Sequence, residues 1–158
     1  MVTNYSEGQK QFVDAIMAGE SVYLDGKAGT GKSFIVKKAM IQLQLELKKV
    51  VAVAPTGIAA NNVGGVTIHS LFNITPYGIV EYKDCHWLRG EKRRLFTEID
   101  TIFIDEVSML RPDVLDAINW TLVKNGCGGL HKKQVVFGLV PMPTTSLLGD
   151  QKQYRHLT

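Results

Sequence analysis

Two short segments of the sequence carry residue types that could bind and activate a nucleotide phosphate. Residues 26–33, with the sequence GKAGTGKS, satisfy the pattern G-x-x-x-x-G-K-[ST]. Glycines are needed there because successive backbone N–H groups must turn inward around phosphate oxygens, and side chains would obstruct that turn. In this pattern the lysine, Lys32, brings positive charge to the β- and γ-phosphates, and the Ser33 hydroxyl is a ligand for Mg²⁺. The residues predicted to contact the nucleotide are Gly26, Ala28, Gly29, Thr30, Gly31, Lys32, Ser33 and Phe34.

The second segment is an acidic pair, Asp105 and Glu106, directly after the apolar run 101–104. An acid at the end of a second buried strand completes a phosphate site of this kind. Asp105 is predicted to hold Mg²⁺ through water, and Glu106 to orient or deprotonate the water that attacks the γ-phosphate. An acidic pair after a strand is by itself often only the solvated start of a loop. Together with the glycine-rich segment, it favours a nucleotide hydrolase with Lys32, Asp105 and Glu106 as catalytic residues.

These residues must be positioned by strands that alternate with helices. Short buried strands are predicted at 21–25, 50–54, 101–104 and 134–137, and helices at 6–17, 32–49 and 112–123. This alternation is typical of βαβ units, in which helices cover both faces of a parallel sheet. Residues 75–94 show no clean period and are predicted to form an irregular excursion over part of a groove. The predicted fold class is therefore α/β, a P-loop nucleotide-binding domain with a parallel sheet flanked by helices.

Composition limits the class of protein without identifying it. A chain of 158 residues, 45% hydrophobic and 21% charged, suits one globular domain. The net charge of +3 is compatible with a polyanionic partner but does not establish one. The amino-terminal segment is polar, and no apolar run approaches the roughly 20 residues needed to cross a bilayer. We therefore expect an intracellular protein without a membrane partner, in the cytoplasm or the nucleus.

Cysteine and histidine usage gives little support for a structural metal site. The two cysteines, Cys85 and Cys127, are too few for a disulfide scaffold. Cys85 with His86, and Cys127 with His131, could in principle contribute metal ligands, but neither pair has the spacing of a zinc knuckle. The only metal predicted is the Mg²⁺ that accompanies ATP.

Four segments together resemble the petite-integration-frequency (PIF) family of DNA helicases, relatives of RecD in superfamily one. They are LDGKAGTGKS at 24–33, APTGIAA at 54–60, GGVTIHSLF at 64–72 and IDEVSM at 104–109. Their order and spacing fit the family, and the resemblance covers about residues 5–137. It implies a RecA-like motor domain that couples ATP hydrolysis with Mg²⁺ to movement along single-stranded DNA. It also implies roles in DNA repair, DNA recombination and telomere maintenance.

The resemblance assigns further residues by position. Gln9 corresponds to a glutamine that contacts the adenine edge, although a glutamine on an exposed helix face is a plain alternative. Residues 55–57 resemble a loop that grips the single-strand backbone, and residues 67–70 resemble the next contact along the strand. Without the family, Thr56 would be interpreted as a turn residue after a strand and His69 as a structural histidine. The predicted DNA contacts are Pro55, Thr56, Gly57, Thr67, His69 and Ser70.

Agreement with the family fails after Phe137. Family members continue with Gly-Asp-x-x-Gln, whose glutamine senses the γ-phosphate. Here GLVPMP at 138–143 occupies that place, while GDQKQ at 149–153 carries the full pattern further downstream, and the choice between them stays open. We accordingly divide the chain into a motor domain, 1–137, and a divergent or truncated segment, 138–158. The second RecA-like domain of such helicases, which supplies arginine fingers, is expected in the complete protein.

Three functions compete on the sequence alone. The first is an ATP-dependent DNA helicase motor domain, which is incomplete by itself. The second is a nucleotide-binding fragment without helicase activity. The third is another P-loop ATPase that acts on protein, such as a relative of clamp loaders. Segment 64–72 argues against the third, because its predicted grip on a DNA strand has no role there.

Overall fold

The computed structural model describes residues 5–26 and 29–138 and the backbone of residues 155–157. Six strands form a single parallel sheet in the order β3-β2-β4-β5-β1-β6. The strands are β1 (Val22–Leu24), β2 (Val50–Ala54), β3 (Val66–Thr67), β4 (Thr101–Ile104), β5 (Gln134–Gly138) and β6 (Arg155–Leu157). The predicted α/β class with a parallel sheet is confirmed.

Helices cover both faces of this sheet. They are α1 (Glu7–Met17), α2 (Lys32–Leu45), α3 (Gly57–Val63), α4 (Ile68–Phe72), α5 (Gly90–Glu98) and α6 (Pro112–Lys124). Apolar residues of α1 and α2 form the core on one face, and those of α4, α5 and α6 form the core on the other. Three short 3₁₀ turns complete the described secondary structure: Tyr82–Asp84, Val107–Met109 and Leu130–Lys132.

Apart from Thr101 and Gln134 at their starts, the central strands β4 and β5 carry no polar side chain, because both of their faces are covered. In β4, Ile102 and Ile104 contribute to the core beneath α6, whereas Phe103 points into the core beneath α1 and α2. In β5, Val135 and Phe137 share the first core, and Val136 lies in the second. Successive side chains of a strand point to opposite faces, so a strand buried on both sides requires continuous apolar residues.

The long helix α2 ends at Leu45, four residues before the predicted end at 49, so that prediction was wrong at its carboxyl terminus. Leu47 adopts a left-handed conformation with φ of 62°, and the backbone N–H of Lys48 donates to the Leu43 carbonyl at 3.0 Å. This turn caps the helix and reverses the chain into β2. The sequence around residue 47 contains good helix formers, so no local signal marked the stop.

Part of the excursion predicted at 75–94 is regular. Helix α5 begins at Gly90, and its one buried residue, Phe96, meets the Phe72 ring edge-on with centroids 5.1 Å apart. The preceding residues, 75–89, are irregular as predicted, apart from the 3₁₀ turn Tyr82–Asp84. Val80, Cys85 and Leu88 of this segment are buried in the core that also includes apolar residues of α6.

Asn125, buried at the end of α6, fixes the same segment to the domain. Its Oδ1 accepts a hydrogen bond from the Leu88 N–H at 2.7 Å, and its Nδ2 donates to the carbonyls of Thr121 at 2.8 Å and His86 at 3.1 Å. The amide thus satisfies backbone groups that would otherwise be buried without partners.

Two further features bear on the class of protein. No helix in the described part of the chain is both long enough and apolar enough to cross a membrane. Within the same residues, no three His, Cys, Asp or Glu side chains cluster in a way that could hold a metal ion. Cys85 and Cys127 are both buried, reduced thiols.

Candidate nucleotide and nucleic-acid site

The glycine-rich loop lies between β1 and α2, at the carboxyl edge of the sheet. Gly29 and Gly31 have φ of 81° and 84°, a left-handed conformation that glycine adopts without steric cost. Gly31 is the N-cap of α2, and its carbonyl accepts the first helical bond, from Ile35 N–H at 3.0 Å. The amino terminus of α2, which carries a partial positive charge, therefore faces the loop, as anion binding requires. Ala28 of the predicted nucleotide set lies outside the described residues.

Lys32 lies inside this loop rather than in solvent. Its ammonium group contacts the carbonyl oxygen of Gly26, and the Gly26 N–H donates to the Asp25 carboxylate at 2.6 Å. A Cβ atom at Gly26 would lie 3.1 Å from Thr30 Oγ1, so the loop is closely packed at its entry. Ser33, in the first turn of α2, is exposed at the mouth of the loop.

Phe34 follows at the outer side of α2 and is half exposed. The Lys38 ammonium lies 5.6 Å from the centroid of its ring. The predicted contact of Phe34 with the nucleotide stays a prediction, and in this structure its backbone N–H in the first turn of α2 is better placed for it than the half-exposed ring.

Asp105 directly follows β4, and its N–H extends the sheet by donating to the Val53 carbonyl at 2.9 Å. Partial burial raises the pKa of its carboxyl group, while the backbone N–H of Glu106 and the positive charge of Lys32 lower it. Strand β5 pairs with both β4 and β1, so the acid after β4 and the loop after β1 lie at the same edge of the sheet, one strand apart. The structure thus brings together the two segments that the sequence placed more than 70 residues apart.

Gly138 is part of this site, although sequence reasoning placed it in the divergent segment. Strand β5 lies between β4 and β1, so its carboxyl end separates Asp105 from the loop. A Cβ atom at Gly138 would overlap the Asp105 carboxylate oxygen Oδ1. Only glycine leaves that carboxylate in place. One signal in the sequence could have identified this residue. Gly138 directly follows the fourth predicted strand, 134–137, just as Asp105 directly follows the third, 101–104.

Glu106 has an unusual backbone conformation for its residue type. Its φ of 51° and ψ of 40° are left-handed, and it is the N-cap of the 3₁₀ turn Val107–Met109. Such a conformation costs on the order of 1–3 kcal/mol for a residue other than glycine, and strained residues of this kind cluster at functional sites. Its half-exposed side chain lies next to Asp105 in sequence.

Gln9 lies over the glycine-rich loop while it also caps α1. Its Oε1 accepts from the Ser6 N–H at 3.1 Å, and its own N–H donates to Ser6 Oγ at 3.3 Å, which forms a capping box. Its Nε2 lies 3.3 Å from the point where a Cβ atom at Gly31 would be. The side-chain amide is therefore beside the loop, in keeping with the predicted adenine contact, which stays a prediction.

A shallow groove of about 650 Å³ runs along the sheet edge formed by α3, β3 and α4. Its lining residues are Thr56, Gly57, Ile58, Ala60, Asn61, Gly65, Val66, Thr67 and Ser70. Four of the six predicted DNA contacts line it: Thr56, Gly57, Thr67 and Ser70. Pro55 and His69 are neighbours of these residues in sequence but are not among the lining residues, and all six assignments stay predictions.

The two threonine hydroxyls of this groove also cap helices. Thr56 Oγ1 accepts from the Ala59 N–H at 3.2 Å, and Thr67 Oγ1 accepts from the Ser70 N–H at 3.3 Å. A hydroxyl that accepts a bond can still donate its own proton. The turn role and the ligand role proposed for Thr56 are therefore compatible.

The floor of the groove requires glycine at Gly65. A Cβ atom there would overlap the Ala52 carbonyl, because β3 approaches β2 closely at this point. The neighbouring walls are apolar and exposed, with Ile58 79% and Val66 47% accessible to solvent. Hydroxyl donors beside exposed apolar groups suit a ligand that has both phosphates and flat bases.

The parallel sheet, the glycine-rich loop before α2 and the acid after β4 define a RecA-like P-loop nucleotide-binding domain. The sequence profile of the PIF1-like helicase family matches residues 4–142. Together these findings show that the chain belongs to the PIF1-like helicase family.

Individual relatives agree with this assignment. The chain is 36% identical over 115 residues to the ATP-dependent DNA helicase PIF1 of Danio rerio, which covers 72% of the chain and 18% of that protein. It is 31% identical over 158 residues to the ATP-dependent DNA helicase PIF4 of Trypanosoma brucei brucei, which covers 97% of the chain and 18% of the relative. The chain thus spans less than a fifth of the length of these two relatives.

A solved structure gives the same result. The structure of Pif1 helicase from Bacteroides in complex with ADP-AlF3 and single-stranded DNA is 33% identical to this chain, with a TM-score of 0.74. The match covers 90% of this chain and 35% of that one.

Proposed function

We propose that this chain is the first RecA-like domain of an ATP-dependent DNA helicase, which binds and hydrolyses ATP with Mg²⁺ and moves along single-stranded DNA. The observation that carries the proposal is that the glycine-rich loop after β1 and Asp105 after β4 lie at the same edge of the sheet, one strand apart, with a groove at the end of the neighbouring strands. Membership of the PIF1-like helicase family supports it.

The nucleotide phosphates would lie against the glycine-rich loop. The loop N–H groups and the Lys32 ammonium provide donors and positive charge, and the helical amino terminus of α2 adds to both. Gln9, above Gly31, has an Nε2 donor that can reach a base held over the same loop.

The residues at this site fit Mg²⁺. The metal prefers oxygen ligands and retains several waters, so one hydroxyl and one carboxylate suffice on the protein side. Ser33 and Asp105 provide that pair, and Gly138 keeps the space around the Asp105 carboxylate clear. Because burial raises the pKa of Asp105, a bound cation would relieve the cost of its charge. When bound, Mg²⁺ would neutralise charge on the phosphates.

Glu106 is the proposed catalytic base. A carboxylate beside the γ-phosphate can orient the attacking water and accept its proton. The left-handed backbone of Glu106 ends the extended course that β4 follows up to Ile104.

The groove is the proposed path of a single DNA strand. Thr56, Thr67 and the backbone of Ser70 can bind phosphates without distinguishing bases, while Ile58 and Val66 can contact sugars or bases. A solved relative was crystallised with single-stranded DNA and ADP-AlF3, which supports a combined site for both ligands.

Steady-state ATP hydrolysis with and without oligothymidylate tests the proposal. DNA-stimulated turnover that Glu106→Gln abolishes is the expected result. Binding of ATP without turnover would instead support the nucleotide-binding fragment. Turnover that DNA leaves unchanged would contradict the DNA motor and favour a P-loop ATPase that acts on protein.

The complete protein is proposed to contain a second RecA-like domain, with 1–137 as the first motor domain and a γ-phosphate sensor within 138–143 or 149–153. Residues 139–154 lie outside the described part of the chain. We further propose an intracellular location, in cytoplasm or nucleus, and roles in DNA repair, recombination and telomere maintenance.

A further inference from the structure

The groove proposed to hold the DNA strand has a lining without charge. Its nine residues present hydroxyls, an amide, backbone groups and apolar side chains, but neither lysine nor arginine. Binding of a nucleic acid backbone depends chiefly on positive groups that neutralise phosphates and release counterions. The groove as lined therefore needs a source of positive charge beside it.

Helix α5 brings such charge to the wall of the groove. The Lys92 ammonium donates to the Ser70 carbonyl oxygen at 3.0 Å, and Ser70 is one of the lining residues. The helix is held in this position by the edge-on contact of Phe96 with Phe72 of α4. Lys92 thus reaches the groove from a different helix, and it lies 22 residues after Ser70 in the chain.

Three consecutive basic residues, Lys92, Arg93 and Arg94, lie on α5, where Glu91 and Glu98 are the acidic residues. On α5, Arg93 and Arg94 are exposed, and within the described residues neither forms an ion pair.

We propose that α5 is the phosphate-neutralising wall of the groove, with Lys92 beside Ser70 and with the exposed Arg93 and Arg94 of the same helix adding positive charge to the neighbouring surface. This inference rests on the proposed binding of single-stranded DNA. The ligand group is the phosphodiester backbone, so the contacts are independent of base sequence. The hydrogen bond to Ser70 holds the Lys92 ammonium at the groove even before a strand binds.

Binding of fluorescein-labelled oligothymidylate, measured by anisotropy over a range of NaCl concentrations, tests the assignment. Each phosphate contact on a single strand contributes roughly 0.7 to the slope of log K against log salt. Lys92→Gln is expected to reduce the slope by about that amount, and the double variant Arg93→Gln/Arg94→Gln by up to about twice as much. Lys92→Arg is expected to retain the slope of the unsubstituted chain.

The matched control is Lys48→Gln/Lys49→Gln, which removes two exposed, adjacent charges before β2, at the opposite edge of the sheet. This variant has the same net charge as the arginine double variant, so it corrects for non-specific electrostatics. A neutral peptide nucleic acid of the same base sequence should bind all variants alike. ATP affinity and unfolding temperature should be unchanged in the arginine double variant.

Equal slopes for the α5 variants and the control would overturn the inference. If Thr56→Ala/Thr67→Ala still weakened binding in that case, the proposed function would stand and only the role of α5 would be wrong. If the unsubstituted chain bound no DNA, both the inference and the DNA-binding function would be overturned.

Discussion

Lys32 is the residue on which nucleotide binding depends most directly. Its ammonium group contacts the Gly26 carbonyl in the glycine-rich loop, and its side chain is not part of the hydrophobic core. Lys32→Ala is expected to abolish ATP binding in calorimetry and to leave the circular dichroism spectrum unchanged. Lys37→Ala, an exposed position on the same helix, is the control and should bind ATP normally. Unaltered ATP affinity in Lys32→Ala would disprove the phosphate site.

Gly138 sets the position of the Asp105 carboxylate. In Gly138→Ala, the new methyl group would overlap Oδ1 of Asp105, so that the carboxylate or the end of β5 must move. We expect a tenfold or greater loss of Mg²⁺-dependent ATP affinity, equivalent to about 1.4 kcal/mol or more. Titration of Mg²⁺ at fixed ATP measures this loss. Gly57→Ala is the control, because a Cβ atom there meets nothing within 4 Å.

Asp105 should make the ligand-free protein less stable at neutral pH than at mildly acidic pH. Burial is the largest influence on its pKa and raises it above the ordinary value of 3.8. Between the unfolded and folded pKa values the folded chain binds more protons, so stability falls as pH rises through that interval. At pH 7 the full loss of stability that comes from burying the ionised Asp105 carboxylate is present.

Asp105→Asn removes this cost and is expected to raise the unfolding temperature at pH 7 while it abolishes Mg²⁺-dependent ATP binding. The stability difference from the unsubstituted chain should shrink as pH is lowered towards 4. Thermal unfolding between pH 4 and 8 checks this, with Asp116→Asn at an exposed position as control. A lower unfolding temperature for Asp105→Asn at pH 7 would contradict the prediction.

At the scale of elements, the segment before α5 depends on one buried amide. Asn125→Ala would leave the Leu88 N–H and the His86 carbonyl without their partner in a buried region. We expect the free energy of unfolding to fall by about 2–3 kcal/mol, as for other unsatisfied buried polar groups. Urea denaturation measures this loss. Asn62→Ala, at an exposed position of α3, should change stability by less than about 0.5 kcal/mol, and an equal loss in the two variants would refute the anchoring role of Asn125.

At the scale of the whole molecule, residues 1–158 alone are expected not to unwind duplex DNA and to hydrolyse ATP slowly. Translocation requires two lobes that close on ATP and open again after hydrolysis. An arginine finger, here expected from a second lobe, is worth roughly a thousandfold or more in phosphoryl transfer. A forked-duplex unwinding assay with Glu106→Gln as control measures this directly. Robust strand separation that the control abolishes would show that one lobe is sufficient.

The sequence alone determined those features that are local in the chain. The glycine pattern before Lys32 and the acids at the end of an apolar run are encoded within a few residues each. Four of the six strands were likewise predictable, since a strand buried on both faces has a continuous apolar sequence. Strand β3 was missed because two residues are too few to show any period.

Tertiary structure alone decided which of these features meet. The order β3-β2-β4-β5-β1-β6 places β5 between the acid and the phosphate loop, and this explains why a side chain at Gly138 would meet the Asp105 carboxylate. Helix α5 reaches the groove through the contact of Phe96 with Phe72, residues far apart in the chain. Such pairings depend on burial of the whole core, which no local pattern records, and therefore only the folded chain shows them.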